Sequence, residues 1–112
     1  MKLATREESG VTILSPKGKI MGGPEATLLH EQLHDLVKND KKSVVIDLSG
    51  VDWMNSSGLG ILISGLTTLR NHGGELKLSR VTDKIQSLLT ITKLVTVFET
   101  YDSTEQAVAS FR

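Results

Sequence analysis

The sequence predicts a single α/β domain in which helices pack against a mixed, mostly parallel sheet of about five strands. Strand and helix patterns alternate through most of the 112 residues, as they do in proteins with parallel sheets. The unbroken β-branched run Val44-Val45-Ile46 predicts a strand covered on both faces, which is typical of a parallel interior. Ser9-Gly10 is a turn signal between two strand patterns and predicts an antiparallel hairpin at one edge. A chain of this length builds one hydrophobic core, so residues 1–112 are interpreted as one domain.

The first half of the chain is predicted to form a hairpin, a helix and a buried strand, at Lys2 to Glu8, Val11 to Ser15, Pro24 to about Lys38, and Lys42 to Leu48. Pro24 suits the first turn of the helix, and Asn39-Asp40 ends it. The apolar face of this helix repeats at helical spacing, at Ala26, Leu29, Leu33 and Leu36.

The second half is predicted to form three more helices and two strands. One helix runs from Ser57 to about Asn71, and Asp83 caps the next, which buries Ile85, Leu88 and Leu89. The pair Ser103 and Gln106 forms a capping-box pattern that opens a final helix, which buries Ala107, Val108 and Phe111. The strands are the alternating, half-buried Glu75 to Ser79 and the short Val95 to Phe98.

Composition excludes several classes of function. Thirteen basic residues balance thirteen acidic ones without a basic stripe, so we expect no nucleic-acid partner. The chain has no cysteine, which removes disulfides, thiolate metal sites and cysteine nucleophiles. Its start lacks an apolar signal segment, and its longest apolar stretch, Leu59 to Leu66, is too short to span a bilayer. We therefore expect a soluble, cytoplasmic protein without membrane insertion.

His30-Glu-Gln-Leu-His34 matches the H-E-x-x-H pattern of zinc metalloproteases and lies on a predicted helix. On a helical wheel, however, His30 lies at the edge of the apolar face and His34 lies farther toward solvent. A zinc protease also needs a third protein ligand and a substrate cleft, and the remaining histidine, His72, follows a different helix. The sequence thus predicts no catalytic metal, and the pair is suited at most to adventitious zinc or nickel binding at the surface.

A small serine hydrolase and a nucleotide site are the other enzymatic interpretations. Ser56 or Ser57 would need a histidine within hydrogen-bond reach, and His72 lies about 24 Å from Ser56 along one helix. The G-x-S-x-G turn of hydrolases and the lysine of a phosphate-binding loop are both absent from the sequence. We therefore expect no enzyme activity and no cofactor.

The segment VVIDLSGVDWMNSSGLG at residues 44–60 is the most informative part of the chain, because a buried strand there leads into a helix near Ser56. Backbone N–H groups at a helix start lack intrahelical partners and the helix dipole is positive there, so a phosphate on Ser56 would be stabilised. Ser56 is thus a candidate phosphorylation site. The alternative is that Asn55 or Ser56 serves only as the helix N-cap. Trp53 is interpreted as a loop anchor packed on the domain, with a binding hot spot as the alternative.

The stretch VVIDLSGVDWMNSSGLGILI resembles the STAS domain of anti-sigma factor antagonists, in which a hydrophobic strand ends in Asp and a short loop leads to Asp-Ser-Ser/Thr-Gly-Leu-Gly. The likeness extends along nearly the whole chain, through Gly18-Lys19-Ile20, Gly73 to Leu78, Leu94 to Phe98 and Glu105 to Phe111. This sequence departs from the family at two places. Asn55 stands where the family usually has Asp, and Met21-Gly22 stands where many members carry an Asp that helps to contact the kinase.

The resemblance implies a protein-interaction switch that is not itself an enzyme. In the family, the first hydroxyl of the motif, here Ser56, is phosphorylated by an anti-sigma factor that is also a GHKL-type serine kinase. The unphosphorylated form binds that kinase and releases the sigma factor, and a PP2C-type phosphatase is the expected second partner. The two departures leave a different interpretation open, a non-switching STAS scaffold or regulatory subunit of a larger signalling or transport assembly.

One face of the predicted helix after Ser56 also indicates a partner. Leu59, Leu62, Ile63, Leu66 and Leu69 form its core stripe, whereas the opposite side is small and uncharged, with an isoleucine expected to be exposed. Solvated helix faces normally carry Lys and Glu, so this side favours close approach of a protein partner unless a neighbouring helix of the same domain covers it. With the motif residues, the expected partner-binding set is Met21, Asn55, Ser56, Ser57, Gly58, Gly60, Ile61, Ser64 and Thr68.

Overall fold

A computed structural model describes residues 2–111, apart from the side chain of Glu25. The strands are β1 (Lys2–Glu8), β2 (Val11–Ile20), β3 (Ser43–Asp47), β4 (Val51–Met54), β5 (Glu75–Ser79) and β6 (Thr100–Tyr101). The helices are α1 (Pro24–Lys38), α2 (Ser56–Asn71), α3 (Asp83–Ile91) and α4 (Thr104–Ala109), and a 3₁₀ turn lies at Leu94–Thr96. The predicted α/β class is confirmed.

Residues 2–111 contain a six-stranded sheet whose main path runs β1-β2-β3-β5-β6, with β4 beside the end of β2. β1 and β2 are antiparallel, and the other pairings are parallel. The predicted hairpin edge and parallel interior are therefore confirmed. The strand that the sequence analysis missed is β4, which pairs with residues 18–20 of β2, beyond the predicted end of that strand at Ser15.

Alternate residues of the strands divide the domain into two faces. Val44 and Ile46 of β3 point into a large apolar core built with side chains from α1, α2 and α3. Val45 points to the opposite side and packs beneath α4. We call these two sides the helix-rich face and the α4 face.

On the helix-rich face, α1 and α2 lie directly against each other. Gly65 of α2 allows this contact, since a Cβ atom there would lie 2.6 Å from Cδ1 of Leu33 in α1. The helix bounds agree closely with the sequence prediction, because Pro24 begins α1 and the glycine pair after His72 ends α2. No helix within residues 2–111 has both the length and the apolar character needed to cross a bilayer.

The predicted strand at Val95 to Phe98 is wrong. Lys93 adopts a left-handed backbone conformation with φ 63°, and the chain then makes a 3₁₀ turn at Leu94–Thr96. Phe98 is buried, and Leu94 packs against the same apolar core, so these side chains fill space beside α3 instead of alternating along a strand. The last strand forms farther on, where Thr100–Tyr101 pairs with β5.

Two smaller expectations for the second half are also corrected. β5 is buried on both sides and not half-buried, because α4 covers the side on which Lys77 lies, leaving that residue 7% exposed. Thr82 and not Asp83 caps α3, since the Thr82 hydroxyl accepts a hydrogen bond from the Ile85 N–H. The capping role of Ser103 at α4 is confirmed, because its Oγ accepts from the Gln106 N–H.

Candidate functional site

The start of α2 is set by the side chain of Asn55, which follows directly after β4. Asn55 has an extended backbone, and its Oδ1 accepts a hydrogen bond from the Gly58 N–H at 2.9 Å. This is the N-cap arrangement, so of the two candidate caps the structure selects Asn55. An Asp side chain at this position would offer the same acceptor. The asparagine therefore preserves the helix start while removing one negative charge beside Ser56.

Gly58 holds the first turn of α2 against the end of β2. A Cβ atom on Gly58 would lie 2.2 Å from the carbonyl oxygen of Ile20, a contact that no other residue type could make without a shift of the backbone. The Asn55 N–H donates to the same carbonyl oxygen at 3.3 Å. Gly58 is buried, so its placement in the expected partner-binding surface is corrected: it positions that surface from below.

Ser56 and Ser57 both reach the surface, but their surroundings differ. Among the described residues, the Ser56 hydroxyl makes no hydrogen bond, and its side chain is exposed. Ser57 lies beside the loop that follows β2, because a Cβ atom on Gly22 would lie 3.3 Å from Ser57 Oγ. Met21 in the same loop is 37% exposed. Of these two exposed serines, Ser57 is thus the one packed beside the loop.

The side of α2 away from its leucines is only partly open. Ser57, Gly60 and Thr67 are exposed, whereas Ser64 and Thr68 are half-buried. Ile61 is also half-buried and packs against the main core, so the expectation of an exposed isoleucine is wrong. The neighbouring helix α1 packs against α2 at Gly65, which is not among the residues assigned to this side.

What remains is a narrow surface along α2, which we call the α2 strip and define as Ser56, Ser57, Gly60, Ser64 and Thr67. It carries no charged side chain. Arg70, the one charged residue in α2, lies at the far end of the helix and pairs with Glu75. A neutral strip of small side chains permits another protein to approach the helix backbone closely.

Trp53 lies on a strand and not in a loop as expected from the sequence. It lies on β4 and is 41% exposed. The register of β4 with β2 places it beside Lys19, whereas Met54 is fully buried and lies beside Ile20. The buried residues of β4, Val51 and Met54, are three positions apart and do not alternate with exposed ones, so no local sequence pattern predicts this strand.

The two histidines of the H-E-x-x-H motif lie on α1. The rings of His30 and His34 lie edge to face with centroids 4.4 Å apart, and His34 is exposed. Within residues 2–111, no group of three or more His, Asp or Glu side chains is arranged to hold a metal ion. His72 follows the last turn of α2, at the opposite end of the helix from Ser56.

Asp47 at the end of β3 is a buried carboxylate that the sequence analysis did not single out. Arg80 donates to both of its oxygens, with Nε 3.2 Å from Oδ1, and the Ser49 N–H donates to Oδ1 at 3.0 Å. Burial alone would raise the pKa of Asp47, but the hydrogen bonds from Arg80 and Ser49 outweigh it and hold the pKa below its ordinary value of 3.8. These bonds fix the loop that leads into β4 and the α2 start.

Comparison with known proteins begins with a family model described as the STAS domain, which matches residues 2–107. BtrV of Bordetella bronchiseptica, which carries the provisional name of an anti-sigma factor antagonist, is 28% identical over 112 residues, covering 100% of this chain and 96% of that protein. The anti-sigma-B factor antagonist of Staphylococcus aureus is 30% identical over 77 residues, covering 69% of this chain and 71% of that protein.

Among solved structures, the anti-sigma factor antagonist SpoIIAA is similar to this chain in two forms. The unphosphorylated form has a TM-score of 0.75 and 12% identity, covering 97% of this chain and 96% of SpoIIAA. The phosphorylated form from Bacillus has a TM-score of 0.79 and 12% identity, covering 99% of this chain and 100% of SpoIIAA. At this identity the likeness shows a common fold.

Proposed function

We propose that this chain, which belongs to the STAS domain family, is an anti-sigma factor antagonist that binds an anti-sigma factor kinase at the start of α2 and is inactivated by phosphorylation at Ser56. The names of its relatives in Bordetella bronchiseptica and Staphylococcus aureus support the first part. Phosphorylation at Ser56 is supported by one observation: the Ser56 side chain is exposed, and its hydroxyl makes no hydrogen bond to residues 2–111.

A phosphate on Ser56 would be tolerated by the folded domain. It would lie at the N-terminal end of α2, where the helix dipole and unpaired N–H groups favour a negative charge by about 0.3 to 1 kcal/mol. Asn55 is neutral, so the residue directly before Ser56 brings no carboxylate that would repel the phosphate. An energy of this size is too small to remodel a domain, whose total stability is about 5 to 15 kcal/mol. We therefore infer that the switch works without refolding.

The same phosphate would act strongly on a docked partner. It adds about −1.5 to −2 charges at neutral pH, next to a neutral strip of small side chains that a partner would approach closely. Trapping that charge in a dry interface costs several kcal/mol, and each 1.4 kcal/mol lowers affinity about tenfold. Phosphorylation would thus release the kinase, and a PP2C-type phosphatase would restore binding. SpoIIAA has been solved in both forms, and both are similar to this chain over nearly its whole length.

The two departures from the family pattern bear on how the partner is recognised. Met21 is 37% exposed where many family members carry an acidic residue, so contact there would be apolar and not ionic. These departures also favour a second candidate function, a STAS scaffold that binds its partner constitutively. The two functions differ in one respect, since a scaffold keeps its partner in the presence of ATP whereas a switch releases it.

The proposal is tested by calorimetry with a GHKL-type anti-sigma factor kinase from the same organism. Thr67→Arg places a long charged side chain on the exposed α2 strip, and we expect at least tenfold weaker binding, about 1.4 kcal/mol, with an unchanged melting temperature. Ser87→Arg, at an exposed position of α3, is the matched control and should bind as the parent chain does. Equal affinities for the two variants would mean that the kinase docks elsewhere. Ile61→Arg is unsuitable because Ile61 is half-buried.

A further inference from the structure

We propose that this chain forms a two-fold symmetric dimer in which β1 of one copy pairs antiparallel with β1 of a second copy. β1 is seven residues long, and only Leu3 among them is partly covered. Within residues 2–111 it pairs with β2 alone, so its other edge presents a row of unpaired N–H and C=O groups, which is a template for another strand. The remaining edge strands, β4 and β6, have four and two residues, and short edges of this kind resist pairing.

Symmetry restricts the registers that such a dimer can use. In an antiparallel pair, hydrogen-bonded and non-hydrogen-bonded residue pairs alternate along the strands. A two-fold axis makes the pairs on its two sides equivalent, so it cannot pass between two neighbouring pairs, which are of different types. It must pass through a residue that lies opposite its own copy. The registers that keep most of β1 paired are therefore centred on Ala4, Thr5 or Arg6.

The charges of β1 favour the register centred on Thr5. In that register all seven residues are paired, and Lys2 lies opposite Glu8 of the other copy at both ends of the strand. Centring on Ala4 would place Lys2 opposite Arg6, and centring on Arg6 would place that residue opposite itself. Opposite charges directly across a strand pair are stabilising and like charges are destabilising. One of the three central registers is thus attractive and the other two are repulsive.

Lys2 and Glu8 are also available for such contacts. Arg6 lies opposite Ile13, which packs under α4, so the even-numbered residues of β1 share the α4 face. Neither Lys2 nor Glu8 forms an ion pair with residues 2–111. Glu7, on the other face, is already bonded to Lys41. The charges that the dimer would use are those that the single chain leaves unused.

A pair of seven-residue strands buries less than the roughly 1,200 to 2,000 Å² of a standard stable interface, so the dimer should be in equilibrium with the monomer. Its residues are separate from the α2 strip. Loss of the dimer and loss of kinase binding are therefore distinguishable, and the dimer does not depend on the function proposed above.

Sedimentation velocity at low salt, from micromolar to millimolar concentrations, tests the charge pairing. We expect a monomer–dimer equilibrium whose dissociation constant rises at least about fivefold in Lys2→Glu and in Glu8→Lys, because each change creates two like-charge contacts. The double variant Lys2→Glu/Glu8→Lys exchanges the charges and should restore the parent value within about twofold. A monomer at every concentration, or a dimer insensitive to all three variants, would overturn the proposal.

Cysteine cross-linking tests the register without relying on charge, and the chain has no native cysteine to interfere. Directly opposed residues in an antiparallel pair have Cα atoms about 4.5 to 5.5 Å apart, within the range of a disulfide. Thr5→Cys should therefore form a disulfide-linked dimer under mild oxidation. Glu7→Cys is the matched control on the same face, where the two copies would be more than about 13 Å apart along the strands, and it should form no disulfide-linked dimer. Equal cross-linking of both variants, or of neither, would exclude the Thr5 register.

Discussion

The helix-rich face and the α4 face of the sheet differ in what holds them together. On the helix-rich face, α1, α2 and α3 cover a continuous set of leucine, isoleucine and valine side chains. On the α4 face, a smaller apolar cluster is accompanied by buried polar groups. Lys77 donates to Ser110 Oγ at 2.8 Å and lies 4.3 Å from the centroid of the Phe111 ring, and the hydroxyls of Ser79 and Thr104 lie 3.0 Å apart.

This contrast between apolar packing on one face and polar contacts on the other helps to explain what positions the candidate site. The α2 strip belongs to a helix of the helix-rich face. The position of α2 is fixed by close packing at Gly58 and Gly65, where a side chain would not fit. The loop that leads to the strip is held from the other side by the Asp47 and Arg80 pair. We therefore expect the helix start to respond to changes of volume, and the loop before it to respond to changes of charge and pH.

Replacement of Gly58 should give the largest effect. In Gly58→Ala the new methyl group would overlap the Ile20 carbonyl oxygen, so the backbone must shift, and we expect a loss of about 3 kcal/mol in the free energy of unfolding. Gly60→Ala is the matched control two residues away, where nothing lies within 4 Å, and it should gain about 0.5 to 1 kcal/mol from helix propensity. Urea unfolding measures both, and losses of equal size would show that packing against Ile20 does not position α2.

Arg80→Ala should give an intermediate effect that depends on pH. It leaves the buried Asp47 carboxylate without its main partner, and we expect a loss of about 2 kcal/mol at neutral pH. Because the folded-state pKa of Asp47 lies below 3.8, the stabilisation from the pair is fully present above that pH and disappears as the pH falls through the folded-state value. The difference between parent and variant in urea unfolding should therefore shrink between pH 7 and pH 2. A difference that stays constant would show that Arg80 acts through packing.

Thr12 is a buried polar residue on the otherwise apolar helix-rich face, and its replacement should give the smallest change in stability. Its Oγ1 atom is buried and has no hydrogen-bond partner among the described residues. Thr12→Val replaces the hydroxyl by a methyl group of similar shape, and we expect a gain of about 1 kcal/mol. Thermal unfolding at neutral pH measures the gain, and a destabilised variant would show that the hydroxyl is satisfied.

The elements that were predicted correctly from the sequence are those with local signals. Pro24 begins α1, and the turn at Ser9-Gly10 separates β1 from β2. β4 was missed because its pairing partner is the distal part of β2, more than thirty residues earlier, and no local pattern reports that contact. Val95 to Phe98 was misassigned because an apolar run has the same composition whether it forms a strand or, as here, a turn that fills the core.

At the candidate site, the Asn55-Ser56-Ser57-Gly58 motif was enough to predict the start of α2 and its two serines. The contacts around each serine are known only from the structure. A helical wheel distinguishes the side of α2 that faces the sheet from the side that faces away. It does not show how the rest of the domain packs around the helix, and for that reason Ile61 was expected to be exposed when it is half-buried. The buried contact of Gly58 with Ile20 is likewise a long-range feature that no local pattern shows.

The central claim, that Ser56 is the switch, is tested most directly by locating the phosphate. The chain is incubated with ATP and the anti-sigma factor kinase that binds it, and the modified residue is identified by tandem mass spectrometry. The account predicts a single phosphate on Ser56, which is lost in Ser56→Ala and kept in Ser57→Ala, since the Ser57 side chain lies against Gly22. A phosphate on Ser57, or none at all with a kinase that demonstrably binds, would contradict it.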